Sequence, residues 1–296
     1  MRSATKLACL VALAASVAGC GASADPETPP DGVPAAGEWF PLATEDFVAQ
    51  PGDEGFACRF ITLERDLHLS GIRALSPPGT HHVLLSVATP EEVPKCSGAA
   101  AGRRVLFGAG VGSDPMQLPD GVALELKAGE SLLLNLHFYN TTGDALAGTA
   151  GIEITTADAA GVEHEAEVVA TGKDSDLVVP PGDSTAHGTC TMVGDATLFA
   201  AYPHMHKLGT HMSVSARTTT GTTIPMLDQD YDFAEQRFMA FSPLLELAKG
   251  DRVDVDCSYK NPGNTDVHFG ESTDDEMCFA FLYRYPKLAK LPVCLH

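Results

Sequence analysis

The sequence contains no Cys-x-x-Cys pair, no apolar run long enough to span a bilayer, and no stretch that keeps a helical hydrophobic period over four turns. The first absence argues against thioredoxin-type chemistry and against a zinc ribbon. The second leaves Leu7 to Val17 as the main apolar run, too short for a spanning helix. The third turns the fold away from helical bundles. Basic residues are also scarce, 19 against 39 acidic ones. Such a surface repels nucleic acid and anionic headgroups, which removes polyanions as partners. Hydrophobic residues are not scarce: at 44% of a 296-residue chain they suffice for a large core.

The N-terminus reads as a targeting signal, residues 1–19. Arg2 and Lys6 precede the run from Leu7 to Val17 in the manner of a secretory signal peptide. Val17-Ala18-Gly19-Cys20 resembles a bacterial lipobox, so Cys20 is the expected lipidation site. Gly21, rather than Asp, after that Cys favours the outer membrane. The chain is thus expected to be exported and tied to the cell envelope through a lipid anchor only. Residues 20–37, rich in Pro, Gly, Ala and acid, form a flexible tether. Beyond Cys9 and Cys20 six cysteines remain, Cys58, Cys96, Cys190, Cys257, Cys278 and Cys294. An even number in an oxidising compartment reads as three disulfides, and parity alone leaves their pairing open.

From Trp39 onward, short strand-like runs alternate with Gly, Pro, Asp and Asn clusters, among them 82–87, 131–139, 196–202, 251–259 and 277–285. Only Pro243–Lys249 suggests a short helical turn. The pattern predicts an all-β protein of two tandem jelly-roll-like antiparallel β-sandwich domains, 38–167 and 168–296. Leu126-Lys127-Ala128-Gly129-Glu130 and Leu247-Ala248-Lys249-Gly250-Asp251 each set a turn before a long strand, one in each domain.

Histidine spacing carries the chemistry. His81-His82 follows the turn Pro77-Pro78-Gly79-Thr80 and opens a strand. Neighbours in a regular strand point to opposite faces, so both can serve one ion only where the backbone is irregular. In Leu132-Leu133-Leu134-Asn135-Leu136-His137-Phe138-Tyr139, alternation puts Asn135 and His137 on the more polar face, where the ordinary reading is a half-exposed histidine. His204 and His206 share a strand face at i, i+2, which lets two imidazoles converge. A cupin uses a similar pair, but no Glu follows here in Lys207-Leu208-Gly209-Thr210-His211. Met277, after the acidic run Asp274-Asp275-Glu276, would by default be core filler.

Taken in order, these motifs resemble those of the copper type II, ascorbate-dependent monooxygenases, the family of peptidylglycine α-hydroxylating and dopamine β-monooxygenases. The resemblance covers about Trp39 to Pro292 and rests on His-His before a strand, a lone His in a Leu-rich strand, His-x-His-x-x-Gly, and acid-Met-Cys. It implies two copper ions, one held by His81, His82 and His137, the other by His204, His206 and Met277. It also implies O2 and ascorbate, or another one-electron reductant, as co-substrates. A soft thioether favours Cu(I), the form that must meet oxygen, whereas an all-His site would suit zinc as well. The resemblance further implies the bridges Cys58–Cys96, Cys190–Cys294 and Cys257–Cys278. The family's other first-domain bridges have no cysteines here.

The chain departs from the peptide-amidating enzyme where that enzyme grips its substrate's carboxylate. Tyr202 and Phe279 replace an Arg and an Asn, which disfavours a peptidylglycine substrate and suggests a more apolar substrate-binding surface. Asn135 keeps an amide where that enzyme has Gln. His68, His164, His187, His211, His268 and His296 match no ligand position, although His211 and His268 lie close in sequence to ligand segments. The expected function is hydroxylation of a C–H bond of a small organic substrate by a monomer. The competing reading is a copper-binding or copper-buffering lipoprotein without turnover; a zinc hydrolase using His₃ is a weaker third.

Overall fold

The computed structural model describes residues 36–88, 104–110, 112–173, 176–233, 235–270, 272–288 and 293–295. The expected signal segment, Cys20, most of the expected tether, Cys96 and His296 lie outside them. The first half contains β1 (Phe40–Ala49), β2 (Glu54–Thr62), β3 (Leu67–Leu75), β4 (Thr80–Ala88), β5 (Arg104–Gly110), β6 (Met116–Gln117), β7 (Val122–Leu126), β8 (Ser131–Tyr139), β9 (Leu146–Thr156) and β10 (His164–Glu165). The second contains β11 (Glu167–Lys173), β12 (Val178–Val179), β13 (Gly182–Thr191), β14 (Ala196–His204), β15 (Gly209–Arg217) and β16 (Thr223–Asp230). It continues with β17 (Met239–Leu247), β18 (Arg252–Asn261), β19 (Val267–His268), β20 (Cys278–Tyr285) and β21 (Val293–Leu295).

Each half is a pair of facing sheets. In the first, β1-β9-β3-β7 lies opposite β2-β8-β4-β5; in the second, the orders are β11-β20-β14-β17 and β13-β18-β15-β16. Matching long strands in chain order gives the same plan twice, two jelly rolls in tandem. Strand pairing is antiparallel except at β7–β10 and β11–β21.

The repeat extends to single hydrogen bonds. The amide of Lys127 donates to the Glu130 carboxylate at 2.8 Å, and that of Ala248 to Asp251 at 2.9 Å. Gly129 and Gly250 take φ of 83° and 91° in these turns, a conformation open to glycine at little cost. The Asn140 amide donates to Ala49 O and Asp144 O, and that of Asn261 to Val179 O and Thr265 O. The two Lys-Gly-acid phrases are therefore equivalent turns.

The segment Pro243–Lys249 is not a helical turn. It belongs largely to β17, an edge strand paired only with β14, and an edge tolerates the missing N–H of Pro243. β8 also differs from expectation: besides Leu132, Leu134 and Leu136, the opposite face with Leu133, Asn135 and His137 is buried. The cause is the second half. On β20, Cys278, Ala280 and Leu282 point into the second half's own core, while Phe279, Phe281 and Tyr283 join the first half's core cluster. The β2-β8-β4-β5 sheet thus packs against the β14–β20 face. Gly108 of β5 admits the Tyr202 ring so closely that an added Cβ would come within 3.0 Å of it.

Candidate metal centre

The first cluster forms where β4 begins irregularly. Gly79, at φ 93°, turns the chain, and the Thr80 amide donates to Pro77 O. The register against β8 shifts between Thr80 and His82, which then pairs with His137. This irregularity lets adjacent His81 and His82 turn their rings to one side. The His81–His82, His81–His137 and His82–His137 ring centroids lie 5.0, 4.9 and 5.0 Å apart. One donor nitrogen from each ring lies within 4.8 Å of the others.

Hydrogen bonds decide which nitrogens face inward. His81 Nε2 donates to Phe233 O at 2.7 Å and His137 Nε2 to Glu54 Oε1 at 3.0 Å. Their Nδ1 atoms are left for the centre. His81 Nδ1 lies 2.9 Å from His82 Nδ1, and buried His137 Nδ1 has no hydrogen-bond partner. An orphaned buried nitrogen costs free energy unless something occupies it. Phe56 stacks on His137 at 4.5 Å and Phe233 lies over His81 at 4.0 Å.

The second cluster lies at the end of β14. His204 Nδ1 donates to Gln236 Oε1 at 2.8 Å and His206 Nδ1 to Asp275 O at 3.1 Å, leaving both Nε2 atoms free of these bonds. The two rings are 5.2 Å apart and perpendicular. His204, the last residue of β14, pairs with Phe279 of β20, and beyond that pair Glu276 accepts from the amides of both His206 and Met277. The Cys257–Cys278 disulfide pins the start of β20 beside Met277, and Cys190–Cys294 is also formed. The implied Cys58–Cys96 bridge involves a residue outside those described.

All five histidines are held below the usual imidazole range, with burial the largest cause: His81 and His204 at about 3, His206 at about 4, His82 well below its ordinary value and His137 lowered. They are neutral at pH 7, the form that ligates metal. Nitrogens tied off on one side and free on the other, an orphaned Nδ1, and Glu276 joining the amides of His206 and Met277 together fit copper. The two clusters are neighbours across the halves, with the His82 and His204 ring centroids 5.9 Å apart.

Some residues at the centre gave no sequence signal of their role. Fully buried Glu276 accepts hydrogen bonds from the amides of His206, Leu208 and Met277 at 3.0, 2.7 and 3.2 Å. Burial pushes its carboxyl up to about 7, against those three bonds. It binds the His-x-His loop to the methionine. Its place directly before Met277 was the available signal, masked by the acids around it. Gln236, also buried, accepts from the Tyr202 hydroxyl at 2.9 Å as well as from His204.

Tyr202 and Phe279 sit in the buried contact between the halves, with Phe281 beside Tyr202. Asn135 donates to Cys58 Sγ at 3.4 Å. Of the unassigned histidines, His187 meets Asp256, His211 meets Asp228 and His164 stacks on Tyr285. Among the described residues, the metal-ligating group formed by His, Cys, Asp and Glu is His81, His82 and His137. His211 follows a register shift and pairs with Ser258, as His82 follows one and pairs with His137. The second copy therefore has a histidine at the equivalent place but a serine across from it.

Residues 164–296 match the family model described as "Copper type II ascorbate-dependent monooxygenase, C-terminal domain". Over those 133 of its 296 residues the chain resembles this monooxygenase family. Its relatives extend the likeness into the first half. The human "Putative DBH-like monooxygenase protein 2" is 24% identical over 83% of this chain and 56% of its own length. The human "DBH-like monooxygenase protein 1" is 26% identical over 62% of this chain and 33% of its own. The mouse "DBH-like monooxygenase protein 2" is 22% identical over 83% and 46%. The chain thus spans about half, or less, of these curated relatives.

Proposed function

We propose that the chain is a copper-dependent monooxygenase with two copper sites, hydroxylating a C–H bond of a small organic substrate with O2 and an external reductant. His81, His82 and His137 would hold the electron-relaying copper through Nδ1. His204 and His206, through Nε2, and Met277 would hold the copper that meets oxygen. Copper supplies one-electron redox chemistry and oxygen activation when bound. The balance requires two electrons and two protons: one oxygen atom enters the C–H bond and the other leaves as water.

The observation that carries the reading is the pair of tied-off nitrogen sets, with opposite ring nitrogens free in the two clusters. The chain's other residues orient and exclude. Phe233 O, Glu54, Gln236 and Asp275 O fix the rings, while Phe56 and Phe233 shield the first cluster from water. Tyr202 and Phe279 set aromatic rings rather than a cation near His204, and Lys207 is engaged by Glu54 and Asp274. These features favour an uncharged or aromatic substrate over one gripped by a carboxylate.

Oxygen consumption by copper-loaded protein with ascorbate or another one-electron donor, across aromatic amines and small C–H substrates, tests the proposal. Substrate-dependent uptake with a hydroxylated product is expected. Stoichiometric copper binding without product across the panel would instead favour a buffering role.

We also propose export and lipid attachment at Cys20. Two disulfides in the described residues support an oxidising compartment. Cys20→Ala should abolish incorporation of an alkyne-tagged fatty acid; unchanged incorporation would exclude that site.

A further inference from the structure

We infer that Glu54 and Thr273 form a clasp that fixes the two halves in register and keeps the histidine clusters beside one another. The functional part rests on the copper reading; the clasp itself does not. Glu54 lies at the start of β2 in the first half. Its Oε1 accepts from His137 Nε2 at 3.0 Å and from Thr273 Oγ1 of the second half at 2.6 Å. Lys207, also of the second half, reaches its Oε2 at 3.5 Å. One carboxylate oxygen therefore orients a first-cluster ring and accepts a bond from the loop before β20.

That loop is the scaffold of the second cluster. Two residues after Thr273, Asp275 O holds His206, and Glu276 ties His206 and Met277 together. A continuous path thus runs from His137 through Glu54 and Thr273 to the support of His206. On the other flank, the Gly110 amide donates to Gln236 O at 2.8 Å and His81 to Phe233 O. Much of the remaining contact is apolar and non-directional, as where the Tyr202 ring lies on Gly108. Apolar faces can slide on one another; a charge-assisted bond between buried Thr273 and Glu54 sets an angle and a distance. Glu54 is thus a positioning residue, acting through His137 and through Thr273, and the 5.9 Å approach of His82 to His204 depends on it.

Thr273→Val removes the hydroxyl, keeps the shape and touches none of the six proposed ligands. In metal-free protein, hydrogen exchange at the Gly110 amide reports the contact between halves, and amides in the middle of β8 and β18 report each half's own stability. The expected result is roughly three- to tenfold faster exchange at Gly110, with β8 and β18 unchanged. Glu54→Gln, which weakens the same oxygen from the other side, should do likewise. Unaltered exchange at Gly110 in folded Thr273→Val overturns the clasp. So does a uniform acceleration over all three regions, which would mean general destabilisation.

Copper supplies the second readout. In fully oxidised protein at equal copper content, the electron paramagnetic resonance hyperfine parameters should shift in Thr273→Val, because Glu54 then holds His137 differently. Loss of the copper reading would appear as the failure to load two ions, leaving the exchange result intact. An unshifted spectrum in the variant would overturn the functional part.

Discussion

At the scale of single residues, the centre is a problem of which nitrogen is left over. His81 and His137 spend Nε2 on Phe233 O and Glu54, while His204 and His206 spend Nδ1 on Gln236 and Asp275 O. Met277→Ile keeps the volume but removes the sulfur, so the fold should lose less than about 1.5 kcal/mol. Cu(I) competition titration should show selective loss of the second site, and product formation should cease. Acid should also act at this scale. Burial holds His81 and His204 at about 3 and His206 at about 4, against 6.5 for a free imidazole. Over that interval the unfolded chain binds more protons, so stability is retained above about pH 6.5 and lost as pH falls toward about 3. The urea midpoint of metal-free protein should decrease from pH 7.5 to 5, and bound copper should oppose the decrease. The gathering of these histidines was legible because their spacing expresses strand geometry. Their anchors were not: Phe233 O and Asp275 O are backbone atoms without a residue signature, and Glu54 lies 83 positions from His137.

At the scale of strands, the irregular start of β4 turns His81 and His82 to one side, and the Cys257–Cys278 bridge fixes the start of β20 beside Met277. A tighter constraint lies behind that bridge. Gly188 of β13 meets Gly172 of β11 so closely that an added Cβ would fall 2.1 Å from the Gly172 carbonyl carbon. Gly172, at φ 139°, in turn abuts Cys278 O. Gly188→Ala must therefore separate two backbones and should cost about 1–3 kcal/mol. Chemical denaturation would measure this loss, and a weakened second copper site should accompany it because β20 shifts. Alternation and turn residues made most strands legible, including β8 and β18. The second burial of β8 was not legible, because Leu133, Asn135 and His137 are covered by a sheet whose strands begin some 30 residues or more further along the chain. β17 was obscured by Pro243, which an edge position accommodates.

At the scale of the whole molecule, one apolar cluster runs from Leu42 through Tyr202 to Tyr283 and crosses both halves. A shared core of this kind couples the two units, where a small polar contact would leave them independent. Trp39, the only tryptophan in the sequence, stands beside Arg73 in the first half. Its fluorescence change in urea should coincide with loss of exchange protection in β18 of the second half. Two separated transitions would contradict the shared core. The all-β class and tandem arrangement were written in the periodicity and the repeated turns, whereas the mutual approach of the histidine clusters depends on which faces meet.

That meeting is heterologous: the β2-β8-β4-β5 face of one copy contacts the other sheet of the next, and such a head-to-tail arrangement has no internal stop. A third unit could in principle dock on the equivalent β13-β18-β15-β16 face. The surface chemistry of that face differs. Where the first copy presents Leu133, Asn135 and His137, the second presents Asp254, Asp256 and Ser258 at the matching positions of β18, with Arg252 and His187 engaging the acids. The charges keep that face from docking as its counterpart does, and Asp254→Leu with Asp256→Asn would make it a candidate for end-on association.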